Sequence, residues 1–209
     1  MDSALTSQLE EGCRILNVAQ QPQHQPQLLA YLELLIKWNK AYNLTAVRDP
    51  AQMVTKHLLD SLAIAPHLRG QRLIDVGTGG GLPGVPMAIL FPQREFHLLD
   101  SNGKKTRFLF QVKTALRLDN MTVHQARVES FAQEAPYDTV LSRAFATIED
   151  MVGGCRHLLG PDGHFLAMKG VYPEEEIAAV ADSCRLEAVH ELHVPGLDEQ
   201  RHLVDMTPR

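Results

Sequence analysis

The sequence predicts an α/β fold: a mostly parallel sheet covered by helices on both faces, set behind an α-helical cap. Residues 72–84 read as a strand, a glycine turn and a helix start. From Arg72 onward strand-like and helix-like stretches alternate, the pattern that places parallel strands beside crossover helices. The first seventy residues carry helical periodicity instead.

Taken in order, Leu5, Leu9, Cys13 and Leu16 recur at helical spacing, and Leu28–Trp38 forms a second, stronger amphipathic stretch. Gln20–Gln27 is a polar hinge between them. Asp49 followed by Pro50 has the form of a helix cap with proline at the first helical position, opening a third helix through about His57 to Ala65. The division expected is therefore a cap over 1–70 and a sheet domain over 71–209. Strands are expected near 72–77, 95–100, 121–125, 137–142, 163–168, 185–193 and 201–207, and helices near 82–91, 103–118, 148–159 and 173–182. Pro195-Gly-Leu-Asp198 turns the last two strands into a hairpin. No internal repeat is apparent.

At 209 residues, 44% hydrophobic and 22% charged, the chain suits one principal domain with a sizeable core. It has no apolar run of membrane length and no charged-then-apolar leader at Met1, so a cytoplasmic location is expected. Cys13, Cys155 and Cys184 lack C-x-x-C spacing and a nearby His pair, which indicates neither a disulfide framework nor a metal site. A net charge of −5 does not advertise a nucleic-acid binder. Backbone phosphates are met by local clusters, however, and the basic residues available include Lys56, Lys104, Lys105, Arg127, Arg143, Lys169 and Arg201.

The glycine turn carries the chemistry. Leu73, Ile74 and Val76 suit a buried parallel strand, and Gly77, Gly79 and Gly81 allow positive φ and let a ligand lie against the main chain. Pro83 and Pro86 are tolerable only in a first helical turn, so a helix is expected to begin at Leu82 or Pro83. Its free amides would favour a carboxylate or phosphate. Asp100 lies 19 residues beyond Gly81, close to the ~20-residue offset at which an acid reaches ribose hydroxyls. Gly79–Gly84 formally matches the dinucleotide pattern G-x-G-x-x-G, so a nicotinamide-dependent oxidoreductase is one reading. Asp75, two residues before the first glycine, disfavours it, because a pyrophosphate would be repelled by that carboxylate. The pattern Asp75-x-Gly77-x-Gly79-x-Gly81 resembles motif I of the class I S-adenosylmethionine-dependent methyltransferases, where the acid sits near the aminoacyl part of the cofactor. That fold adds an antiparallel final strand to a doubly wound, seven-stranded sheet.

A closer resemblance covers about Leu28 to Val204. Trp38-Asn-Lys-Ala-Tyr-Asn-Leu-Thr45, His57-Leu-Leu-Asp-Ser61, Asp75–Gly84, Leu99-Asp-Ser101, Ser142-Arg-Ala-Phe145 and Lys169-Gly170 are similar to successive motifs of the bacterial glucose-inhibited division protein B family. One departure is Gly80, where members often carry proline. The resemblance implies methylation of N7 of a guanine at position 527 of 16S ribosomal RNA, with S-adenosylmethionine as cofactor. The acceptor would be the small ribosomal subunit or its assembly intermediate, and the protein a monomer off the membrane. It implies cofactor contacts at Gly77, Leu82, Val128, Glu129 and Arg143, beside Asp75, Gly79, Gly81 and Asp100 of the loop and second strand.

Arg143 closes the expected fourth strand where methyltransferases place the acceptor, and Lys169 closes the fifth in the same layer. Both are assigned to positioning, Arg143 on a carboxylate or phosphate and Lys169 on RNA phosphate. His57, Asp60 and Ser61 lack a nucleophile elbow and are read as packing and hydrogen-bonding residues bordering the pocket. N7 of neutral guanine has a free lone pair, so no general base is required. Two other readings stay open on the residues alone: a non-catalytic RNA-binding or ribosome-assembly factor, and a small-molecule methyltransferase.

Overall fold

The computed structural model describes residues 2–209. Seven strands form one sheet in the order β3-β2-β1-β4-β5-β7-β6: β1 Arg72–Val76, β2 Glu95–Asp100, β3 Met121–Gln125, β4 Tyr137–Ser142, β5 Leu159–Lys169, β6 Cys184–Glu191 and β7 His202–Pro208. The first five pair in parallel, while β7 inserts antiparallel between β5 and β6. The strand order reverses at β1 and β4, so the connections leaving their carboxyl ends diverge and open a crevice there.

The cap comprises α1 (Ser3–Leu16), α2 (His24–Tyr42), and α3 (Pro50–Met53), which runs through a π-helical segment, Val54–Leu59, into α4 (Asp60–Leu62). Asp49 caps α3 by accepting from the Ala51 amide, with Pro50 in the first turn as expected. The second helix starts at His24, earlier than Leu28, because the latter half of the Gln-rich hinge is itself helical. The remaining helices are α5 (Gly84–Leu90), α6 (Gly103–Leu116), α7 (Ile148–Cys155) and α8 (Glu174–Ala179).

Two further boundary differences from the sequence reading concern the glycine turn and β5. Helix α5 begins at Gly84, since Thr78 to Pro83 are used to close the glycine turn on itself: Gly81 and Leu82 donate to the Thr78 carbonyl. Strand β5 begins at Leu159, where a helix was expected. Leu159 pairs with Tyr137, Pro161-Asp-Gly163 bulges out, and pairing resumes at His164 opposite Thr139.

Alternation along the strands feeds two cores. Leu73, Phe96, Leu98 and Leu141 join the cap residues Leu9, Tyr31, Leu32, Leu35 and Leu59 on one face, together with α5 and α6. Ile74, Val76, Leu99 and Val140 meet α7 residues Ile148, Met151 and Cys155 on the other. The cap thus shares a continuous apolar core with the sheet, which fixes α4 against the carboxyl edge.

Candidate active site

The glycine turn crosses the end of β2. The amides of Gly77 and Thr78 donate to the Leu99 carbonyl at 2.9 and 3.2 Å. Gly77 (φ +70°) and Gly81 (φ +96°) are left-handed and crowded: a Cβ on Gly77 would lie 2.6 Å from Ala144 Cβ, and one on Gly81 2.5 Å from Val85. Both positions therefore exclude side chains on conformational and steric grounds. Gly79 is left-handed too (φ +60°), but a Cβ there would make only ordinary contact, 3.9 Å from Lys105 Nζ.

Asp75 lies beneath this loop, 2% exposed. Its Oδ2 accepts from the Thr78 hydroxyl at 2.7 Å and the Gly84 amide at 2.8 Å, while Oδ1 is buried without a partner. The α5 amide that the sequence reading offered to a ligand is thus taken by the protein's own acid. Burial pushes Asp75 up to about 7, against the lowering effect of those two donors. A second anchor comes from the cap, where the buried hydroxyl of Tyr31 donates to the Gly80 carbonyl at 2.6 Å. Nothing in the sequence between residues 28 and 38 marks Tyr31 apart from its helical periodicity.

Asp100 closes β2. Its Oδ2 accepts from the Gly79 amide at 2.9 Å and its Oδ1 from the Asn102 amide at 2.8 Å. Each oxygen retains a second lone pair for a ribose hydroxyl. A cleft of about 280 Å³ opens above it, just under the ~300 Å³ at which small-molecule pockets begin. Gly77, Asp100, Val128 and Glu129 line it, together with Ser101, Lys105, Arg127 and Phe145, which the sequence reading did not place there. Leu82, expected at the cofactor, is 4% exposed and packs in the cap-side core. The cleft offers carboxylates for ribose hydroxyls, apolar Val128 and Phe145 for a flat base, and a main chain stripped of Cβ atoms for close approach, so these residues suit an adenosine-bearing cofactor.

Arg143 stands next door. Ser142–Phe145 separates two cavities, with Ala144 and Phe145 in the first and Arg143 in a second. The Arg143 guanidinium reaches the Asp60 carboxylate at 3.3 Å and the Lys56 carbonyl at 3.4 Å. Arg201 meets the other oxygen of Asp60 at 3.0 Å. Burial raises the Asp60 carboxyl, against the lowering by Arg143 and then Arg201. The π-helical winding splits the motif from His57 to Ser61: His57 Nε2 contacts the Thr45 hydroxyl at 2.7 Å, Asp60 turns to the arginines, and the Ser61 hydroxyl is buried without a partner. Burial, and then Arg143, bring His57 down to about 4, so it is neutral near pH 7. Lys169 also lines this cavity, with its ammonium held by Glu176 at 2.7 Å and the Ala146 carbonyl at 2.9 Å. A larger cavity, about 510 Å³, lies in the cap between α1 and the start of α2 and shares no residue with the sheet.

The family model described as GidB, rRNA small subunit methyltransferase G, matches residues 24–204. The chain belongs to this family. A relative named ribosomal RNA small subunit methyltransferase G from Pseudomonas paraeruginosa (strain DSM 24068 / PA7) is 58% identical over 198 residues, covering 94% of this chain and 92% of the relative. One of the same name from Pseudomonas syringae pv. syringae (strain B728a) is 53% identical over 208 residues, covering 98% and 97%. Among solved structures, a glycopeptide N-methyltransferase, MtfA, complexed with S-adenosyl-L-methionine superposes with a TM-score of 0.62 at 13% identity, over 72% of this chain and 86% of that one. A SAM-dependent methyltransferase from Aquifex aeolicus gives 0.61 at 15% identity, over 78% and 96%. The fold is that of the class I methyltransferases, as the glycine turn and the antiparallel final strand led us to expect. Among the described residues, no helix is long and apolar enough to cross a membrane.

Proposed function

We propose that this protein transfers a methyl group from S-adenosylmethionine to N7 of the guanine at position 527 of 16S ribosomal RNA, in the small subunit or its assembly intermediate. The observation that carries the reading is the pair of cavities divided by Ser142–Phe145 at the sheet's carboxyl edge, one suited to an adenosine and one lined by cations. Family membership points the same way. The oxidoreductase alternative has no comparable support, since Asp75 fills the helix end that a pyrophosphate would need.

When bound, S-adenosylmethionine supplies an electrophilic methyl on a sulfonium. Asp100 would take the ribose hydroxyls, Val128 would cover the adenine and Glu129 would flank it. Gly77 and Gly79 keep the main chain open to close approach, while Asp75, Gly81 and Leu82 hold the loop's shape from below. Guanine N7 carries its own lone pair and no proton, so no residue of the chain would be needed to remove one. Alignment is then the chain's main contribution, and holding two reactants in near-attack geometry supplies up to ~7–11 kcal/mol of barrier lowering. Arg143 orients the acceptor. Lys169 ties β5 to α7 and α8 through Ala146 and Glu176, which keeps the acceptor wall in place. Because an A-form major groove is too narrow to admit a protein to N7, the guanine is met in a loop or opened segment.

The test is a map of 7-methylguanine in 16S RNA from cells with and without this gene, with tritiated-methyl transfer to subunits from the deletion strain. Loss of one modified guanine in the deletion, restored by the purified protein, is expected. An unchanged map, or transfer to small molecules without RNA, rejects the proposal. Arg143→Ala should lower transfer by about 10²–10³-fold, the cost typical of one preorganised electrostatic donor, measured at a temperature where the variant is still folded, since buried Asp60 also loses one of its two partners.

A further inference from the structure

The second cavity, about 230 Å³, is built around one buried carboxylate. Asp60 comes from α4, Arg143 from the end of β4 and Arg201 from the segment before β7, so three distant parts of the chain converge on it. The Asp60 side chain is 5% exposed, and each of its oxygens faces a different guanidinium. Such a group persists in the interior only when its partners are fixed around it, and it fixes them in return. One carboxylate cannot neutralise two guanidiniums and the adjacent Lys56 ammonium, so the group keeps an excess of positive charge. Lys169 is already engaged by Glu176.

The excess is met at the surface by Glu199, whose side chain is 53% exposed. Its Oε1 is 3.0 Å from Lys56 Nζ and its Oε2 2.9 Å from Arg201 Nη2. A planar anion held through two oxygens, between an ammonium and a guanidinium, occupies the position that the two non-bridging oxygens of a phosphodiester would take.

We propose that Lys56, Arg143 and Arg201, ordered around Asp60, form a subsite for one backbone phosphate of the RNA acceptor, and that Glu199 holds this subsite until RNA displaces it. Asp60 is a positioning residue, acting through the two arginines without touching RNA. The proposal rests on the reading of this protein as an RNA methyltransferase, and adds a determinant of acceptor binding that is separate from the cofactor cleft.

The test measures the Kd of a fluorescently labelled single-stranded RNA oligonucleotide, the KM for unmethylated small subunits, and the Kd of S-adenosylmethionine. Glu199→Gln removes the competitor and should tighten RNA binding and lower KM by about three- to tenfold. Lys56→Ala should weaken RNA binding and reduce the slope of log affinity against log salt by roughly 0.7, one phosphate contact on a single strand. Asp60→Asn should raise RNA Kd and KM about tenfold or more, add nothing further in an Arg201→Gln background, and abolish a protected Arg201 Nε–H resonance. None of the three should move cofactor affinity. The subsite is overturned if Glu199→Gln binds RNA no better than the unmodified protein, if Asp60→Asn weakens cofactor and RNA alike, or if inorganic phosphate saturates the site at micromolar concentration, which marks a free-anion site. Should Asp60→Asn fail to fold, the two exposed variants decide. If RNA affinities follow the expected order while subunits are not methylated, the subsite stands and the reaction assignment falls.

Discussion

Asp75 makes folding stability depend on pH in an unusual direction, and that dependence can be isolated. The carboxyl is buried, holds the Thr78 hydroxyl and the Gly84 amide with one oxygen, and leaves the other unpartnered. Burial raises it from 3.8 to about 7. Between those values the folded state keeps a proton that the unfolded chain releases, so raising the pH favours unfolding. At ~1.36 kcal/mol per unit, the loss between pH 4 and about pH 8 is on the order of 4 kcal/mol, and it levels off once the folded-state carboxyl is itself ionised. Histidines run the other way: burial lowers His57 and His124 to about 4, so their stabilisation is present above the unfolded value near 6.5 and is lost as pH falls toward 4. Asp75→Asn keeps an oxygen for both donors and removes the titration while leaving the histidines untouched. Urea unfolding without cofactor, at half-unit steps from pH 4.5 to 8, should therefore give a variant-minus-parent stability that climbs through pH 7 and then levels. Parallel curves would mean that Asp75 is ionised in the fold at all these pH values, and the reasoning about its burial would be wrong.

Gly81→Ala forces an L-residue into φ +96° and a Cβ against Val85; at ~1–2 kcal/mol for the left-handed backbone and ~1–3 for overpacking, calorimetry should show a large fall in Tm together with loss of cofactor binding. Tyr31→Phe deletes the bond to the Gly80 carbonyl and should cost about 1–3 kcal/mol in denaturant unfolding, since a buried acceptor is left alone. Titration calorimetry on that variant should find weaker cofactor binding with RNA affinity unchanged. The cysteine thiols are buried, and burial raises Cys13 to about 11 and Cys155 to about 12; iodoacetamide at pH 7.5 should label native protein far more slowly than unfolded protein, and equal rates would contradict the burial.

The strands, the glycine turn and its acid were legible because each is a local pattern: short apolar runs, residues without Cβ atoms, and a fixed offset to Asp100 along one βαβ unit. The end of α7 and the start of β5 were not, because helix and strand preferences overlap across 156–163, and pairing with Tyr137 decides the outcome. Of the residues lining the candidate cleft, Gly77 and Asp100 were legible from the glycine turn and the strand end, whereas Val128 and Glu129 were expected only from the family resemblance.

What sequence alone could not assign was which groups face each other across long separations. Asp60 and Arg201 are 141 positions apart, and Tyr31 and Gly80 are 49 apart. No spacing rule links such pairs. Their meeting follows from burial of the cap's apolar face in the same core as the sheet, which brings α2 over the glycine turn and α4 to the carboxyl edge. Local chemistry determined the glycine turn and the Asp75 anchor within it; the packing of the cap onto the sheet decided that Tyr31 holds the loop from the cap side and that Arg143 turns toward Asp60.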